Sequence, residues 1–159
     1  MKKFSLITLF LLSLNSWAQM TPVGSWHTVD DQTGKPSAEI KITDKGNGEL
    51  IGISIKSLLP PNPANDPNCT KCTDDRKDKP KRGMEIIRGA KQTSGTQMWE
   101  GGTILDPNEG KIYKLRLMPL DGGTKLQVRG YIGIFFRTQV WSRIEPSNPN
   151  PTLAPVATN

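Results

Sequence analysis

"KIYKLRL" (residues 111–117) and "KLQVRGYI" (residues 125–132) flank the turn-forming "LDGG" (residues 120–123). In the first run Tyr113, Leu115 and Leu117 fall on one side, Lys114 and Arg116 on the other. In the second, Leu126, Val128 and Ile132 oppose Lys125, Gln127 and Arg129. Successive strand side chains point to opposite faces, so this alternation predicts two half-buried strands. Between them, glycine supplies positive φ and the Asp side chain stabilises a turn. The stretch therefore predicts an antiparallel hairpin.

The same grammar recurs along the chain. In "SAEIKIT" (37–43), Ala38, Ile40 and Ile42 alternate with Glu39 and Lys41; in "LIGISIKS" (50–57), Ile51, Ile53 and Ile55 share a face. "DDQTG", "DKGNG", "KQTSG" and "DPNEG" each supply Gly with Asp, Asn or Ser. Eight strands are predicted, near 24–29, 37–43, 49–57, 84–89, 96–105, 111–118, 124–132 and 138–144. Short links make sequence neighbours spatial neighbours. Such a meander hides its edges best by closing on itself. The expected fold is all-β: an eight-stranded antiparallel up-and-down β-barrel, in preference to a two-sheet sandwich. A barrel of this size either fills with side chains or holds one small ligand.

The ends of the chain read differently. "MKKFSLITLFLLSLNSWAQM" opens with Lys2 and Lys3, continues through an apolar run from Phe4 to Leu14, and reaches Ser16-Trp17-Ala18. That order is a secretory signal peptide cleaved after Ala18, and its apolar run is short of the roughly 20 residues a membrane span needs. The expected domain plan is a signal peptide at 1–18, one barrel domain at 19–145 and a disordered Pro/Asn-rich tail at 146–159. The expected location is outside the cytosol, in the periplasm of a Gram-negative cell, with no transmembrane segment in the mature chain. The formal charge of +6 falls by two when Lys2 and Lys3 leave. Between Lys71 and Lys91, eight basic residues face four acidic ones. In an exported protein such a run reads as a solvated loop rather than a nucleic-acid site.

One link is long. Ser57 to Gly83 spans 27 residues with five prolines and both cysteines, in "DPNCTKCTDD" (66–75). Loops of this length are functional or inert excursions; here a lid over one barrel mouth is the functional version. Export makes a Cys69–Cys72 disulfide the default for the pair. A redox motif would need its first thiol at a helix N-terminus, and Pro80 and Gly83 break the segment after the pair. A zinc site needs about four ligands, and His27 is the sole histidine. Neither a metal nor a cofactor is expected. The chain has no GxSxG and no phosphate-cradling glycine motif, so catalysis has no support in motifs. Glu39, Glu100 and Asp106 are the carboxylates that a barrel could bring together.

The aromatic residues carry more information. Trp26 lies in the first strand; Trp141 and Arg143 lie in the last. Closure pairs those strands, so Arg143 is expected over Trp26 or on nearby carbonyls, plugging one end. Trp99, Tyr113 and Tyr131 are expected in the interior, either as core or against a ligand. Arg129 and Arg137 are candidates to meet a carboxylate or phosphate near a mouth. The adjacent Gly101-Gly102 suggests a bulge or a close backbone approach.

Gly24-x-Trp26 with a late Arg143 resembles the lipocalin signature. "GSWHTVDDQTGKPSAEIKI", Cys69-x-x-Cys72, "GGTILDPNEGKIY", "LQVRGYIG" and "RTQVWSR" together resemble the bacterial family known as domain of unknown function 2147. The resemblance spans about Val23 to Ile144. It implies an exported bacterial protein with a lipocalin-like barrel, and implies no activity. Three functions stand as expectations. The first is a non-enzymatic envelope module that binds a small lipophilic or acidic ligand. The second is a thiol/disulfide or other envelope enzyme using Cys69 and Cys72. The third is a protein-interaction module using the basic loop and the tail.

Overall fold

The computed structural model describes residues 20–62 and 66–145. The expected signal peptide at 1–18 and tail at 146–159 lie outside the described residues. The strands are β1 (Gly24–Val29), β2 (Pro36–Asp44), β3 (Glu49–Ser57), β4 (Glu85–Gln92), β5 (Trp99–Glu100), β6 (Thr103–Asp106), β7 (Lys111–Leu120), β8 (Lys125–Ile132) and β9 (Phe135–Arg143). Every pairing is antiparallel, and β1 pairs with β9 to close the sheet. Because β5 and β6 are two pieces of one wall position, the molecule is a closed eight-stranded barrel. Pairing of sequence neighbours, through short links everywhere but between β3 and β4, produces this topology directly.

Several boundaries shift by two or three residues, β4 running on to Gln92 and β7 to Leu120, and two of the differences have a clear local reason. The predicted strand at 96–105 breaks at Gly101-Gly102. Gly101 takes φ 78°, and a Cβ on Gly102 would run into the backbone of Arg88 and Ala90 on β4. The glycine pair lets the two backbones touch at the cost of continuous pairing. The last strand starts at Phe135, not 138. Gly133 at φ 58° makes a two-residue turn with Ile134, so the hairpin runs on through an apolar stretch without alternation.

Register assigns the faces. Ile40 and Ile42 are buried, and their cross-strand partners are Ser54 and Gly52. Leu50, Gly52 and Ser54 therefore face inward, and Ile51, Ile53 and Ile55 share the outer face of β3. Gly52 is the reason: a Cβ there would press on the Ile87 side chain, which is fully buried from β4.

The interior tapers in side-chain size. Along β1 the inward residues run Trp26 then Thr28; along β2, Ile42, Ile40, Ala38; along β3, Leu50, Gly52, Ser54. Along β8 they run Leu126, Val128, Gly130; along β9, Trp141, Gln139, Arg137. One end of the barrel is packed by Trp26, Ile42, Leu50, Ile87, Leu117 and Leu126, each at most 2% exposed. The other end receives small and polar side chains, which cannot fill it.

The packed end is sealed by Arg143. Its guanidinium lies 4.2 Å from the Trp26 ring centroid. It donates to the carbonyls of Val23 and Thr21, both at 2.8 Å, and to that of Gly123. Trp26 Nε1 donates to Pro22 O at 2.8 Å. The segment from Thr21 to Val23 is thus tied across the barrel end. Gly24 is required beside it, at φ 143° with no room for a Cβ against Arg143. Charged hydrogen bonds contribute roughly 1.5–3 kcal/mol each and do not add fully. Arg143→Ala should therefore lower unfolding free energy by about 2–4 kcal/mol, and Arg143→Lys should recover only part, lacking the planar fork. Urea unfolding followed by tryptophan fluorescence reads this; an unshifted midpoint in Arg143→Ala would rule out the plug.

Candidate functional site

The tapered end encloses a cavity of about 1010 Å³. Its wall is apolar where Ile40, Ile86, Ile104, Tyr113, Val128 and Trp141 face it. Thr28, Ser37 and Ser54 supply hydroxyls, and Thr28 and Ser37 bond each other at 2.6 Å. Charges gather at the rim: Lys56, Lys81, Arg82 and Arg137 among the cations, and Asp30, Asp31, Asp66 and Asp106 among the acids.

The acids are already engaged. The Thr33 hydroxyl and amide hydrogen-bond Asp30 and hold its carboxyl below the usual carboxylate range. Asp31 pairs with Arg137 and accepts a hydrogen bond from Gln139 at 2.6 Å. Asp66 accepts the Asn68 amide, and Asp106 accepts those of Asn108 and Glu109 within its own turn. Two rim cations have no carboxylate partner among the described residues: Lys81 rests on Asn108 Oδ1 at 2.9 Å, and Arg82 is exposed. Lys81 and Arg82 are thus the rim cations open to an anion, on a rim whose four cations and four acids balance in number.

The long loop contributes in two parts. Leu59, Pro60, Pro61 and Asn62, then Asp66 and Pro67, line the cavity. Beyond them the chain is clamped. Cys69 and Cys72 lie at disulfide distance, their Cα atoms 5.4 Å apart, and both are almost fully buried. The β6–β7 turn packs beneath: Cys69 Sγ is 3.3 Å from Pro107 O, and a Cβ on Gly110 would strike the Lys71 carbonyl. Arg76 is only 4% exposed. It holds the Asp74 carboxylate at 2.6 Å and the Glu85 carbonyl at 2.9 Å, and so keeps Asp74 ionised below the usual range. Arg88 on β4 reaches Asp75 through two bonds of 2.7 and 2.9 Å, and also holds Glu85 at 2.7 Å. The basic run between Lys71 and Lys91 is thus only partly a solvated surface; Arg76 and Arg88 fasten the loop to β4.

The expected site residues separate into four places. Tyr113, Arg137 and Trp141 line the cavity. Trp26 and Arg143 form the opposite barrel end. Trp99 is buried in the core. Arg129 and Tyr131 lie on the outer wall, where Arg129 donates to Thr138 Oγ1 at 2.7 Å and Arg116 sits 5.5 Å from the Tyr131 ring centroid. The three carboxylates do not converge: Glu39 pairs with Lys56, Glu100 with Arg116 on the outside, and Asp106 caps its turn. Among the described residues no cluster of three or more His, Cys, Asp or Glu could hold a metal, and no helix is long and apolar enough to cross a membrane. Thr28, Ser54, Gln139, Lys81 and Arg82 were not foreseen at the cavity. The inward taper along β1 and β3 is the sequence signal that marks Thr28 and Ser54; Lys81 and Arg82 lie in the long loop, where no strand period marks them.

A closed antiparallel barrel, plugged at one end and hollow at the other, defines a lipocalin-like protein. A lipocalin-family protein from the human pathogen Helicobacter pylori superposes with a TM-score of 0.64 at 17% identity, over 77% of this chain and 82% of that one. At that identity the likeness concerns the fold. The model of the family described as an uncharacterized protein conserved in bacteria (DUF2147) matches residues 24–143, and the chain belongs to that family. No curated protein matches the chain significantly.

The Arg88 clamp has an acid signature. The hydrogen-bonded Arg88 guanidinium lowers the Asp75 carboxyl to about 2, whereas an unfolded Asp takes its proton near about 3.9. A depressed carboxyl stabilises the fold fully above the unfolded value, and that stabilisation is lost as pH falls through the folded value. Unfolding midpoints measured from about pH 5 to about pH 2 should therefore fall less steeply in Asp75→Asn than in the parent. Parallel curves would show that the clamp is electrostatically idle.

Proposed function

We propose that this protein is a non-enzymatic binding module of the bacterial envelope. Its ligand is a small amphipathic molecule with a lipophilic body and an acidic head. The cavity carries this reading: an apolar wall of isoleucine, valine and aromatic side chains under a rim where Lys81 and Arg82 form no salt bridge with a described carboxylate. Ligand sites of this kind combine apolar lining with a few placed polar groups, and volumes of about 300–1,000 Å³ are usual. A long acyl chain fits the body, and a carboxylate or phosphate fits the rim. The signal-like sequence at 1–18 supports export to the periplasm, where the Cys69–Cys72 pair would be oxidised. Burial of both cysteines against the β6–β7 turn supports a staple over an exchanging thiol pair, since a reactive thiol needs access.

The test is titration with a long-chain fatty acid, read through the fluorescence of Trp141 on the cavity wall. The expected result is saturation at one ligand per chain. Ile104→Trp, which fills the cavity, should weaken binding at least about tenfold. Replacing Lys81 and Arg82 with Ala should weaken the acid about tenfold and leave the alcohol of equal length unchanged, as loss of a charge-assisted contact predicts. Absence of saturable binding by fatty acids and lysophospholipids would contradict the proposal.

A further inference from the structure

The β8–β9 hairpin has an apolar tip that neither the core nor the cavity uses. Ile134 is 89% exposed, Phe135 72%, Phe136 62% and Ile132 49%. The last rung at the cavity is Gly130 opposite Arg137; Tyr131 opposite Phe136 and Ile132 opposite Phe135 extend beyond it. At about 3.4 Å per residue those two rungs project roughly 7 Å past the rim, before the turn itself. The tip is apolar on both sides. Phe135 shares the inward face with Arg137, and Phe136 shares the outer face with Thr138. A protein partner would cover one face; an apolar medium surrounds both.

The charges lie below the tip in order. Tyr131 comes first, in contact with Phe136 at a centroid distance of 6.1 Å. Lys114 stands opposite Tyr131 in the β7–β8 register, and Arg129 lies 4.9 Å from the Phe136 ring centroid. Arg116 and Arg137 are occupied by Glu100 and Asp31. Among the described residues no carboxylate pairs with Lys114 or Arg129. An apolar tip, then a rung holding Tyr131 and Lys114, then Arg129 follows the order of environments across a lipid–water interface. Interfacial elements bury about 5–10 Å into it, which matches the length of the projection.

We infer that the β8–β9 hairpin docks the open end of the barrel on an anionic lipid surface, with Ile134 and Phe135 in the acyl region and Lys114 and Arg129 among the headgroups. This orientation places the cavity mouth against the bilayer, where an amphipathic ligand can pass between membrane and barrel. Its purpose rests on the ligand-binding reading; the docking itself does not.

Co-sedimentation with vesicles of phosphatidylglycerol and phosphatidylethanolamine, and separately of phosphatidylcholine, tests the inference. The parent should bind the anionic vesicles at least about tenfold more tightly than the neutral ones at moderate salt. Ile134→Ser/Phe135→Ser should bind both kinds at least about tenfold more weakly, as loss of inserted apolar surface requires. Lys114→Gln/Arg129→Gln should lose the anionic preference. All three proteins should take up a soluble fatty acid equally, which shows an intact barrel. Three results would overturn docking: no binding of the parent to anionic vesicles, vesicle binding unchanged in Ile134→Ser/Phe135→Ser, or a dimer that this variant dissolves while vesicles are ignored. Vesicle binding without fatty-acid uptake would uphold docking and refute the cavity reading instead.

Discussion

Closure between β1 and β9 is the constraint on which the molecule depends, and it rests on few bonds. Among the described residues only Trp26 opposite Arg143 and His27 opposite Ser142 pair across it, with Ile144 N donating to Ser25 O at 2.8 Å. Toward the open end a side chain takes over. Gln139 donates from Nε2 to Val29 O at 2.9 Å and accepts from Trp141 Nε1 at 2.9 Å. A meander left open here would present two edges for pairing with other chains. Arg143 answers this at the packed end, and Gln139 at the hollow end. The same seam thus joins the plug to the cavity wall.

The cavity results from how side-chain volume is distributed once the seam is shut. Trp26, Leu50, Ile42 and Leu126 consume the interior at one end. Thr28, Ser54, Ala38 and Gly130 leave it unfilled at the other. Small inward residues without outside support would invite collapse of that end. The clamped loop supplies the support: Arg76 inside, Arg88 through Asp75, and the cysteine pair over the Pro107 turn. Residues that add positive charge in the sequence therefore act first as fasteners, and the charge left over sits at the rim and on the hairpin.

Much of the barrel was legible because alternation is local. A strand states its period within a few residues, and Asx-Gly turns state where it stops. Arg143 over Trp26 was legible because closure forces the first and last strands together. The inward face of β3 was not, since three isoleucines outweigh Leu50, Gly52 and Ser54 until Ile87 is known to occupy the space above Gly52. The start of β9 was missed because Ile134, Phe135 and Phe136 do not alternate. Arg76 looked like one cation in a basic run; its burial depends on Asp74 and on a carbonyl of β4. The taper that makes the cavity is present along β1, β2, β3 and β8, but reading it requires knowing which strand ends coincide.

Native mass spectrometry of the protein, purified gently from its own host and compared with a denatured sample, tests the central claim most directly. The account predicts one adduct of a few hundred daltons, the mass of a lipid-like acid that a cavity of this volume can hold, lost on denaturation. A protein of bare polypeptide mass that also takes up no added fatty acid would contradict it.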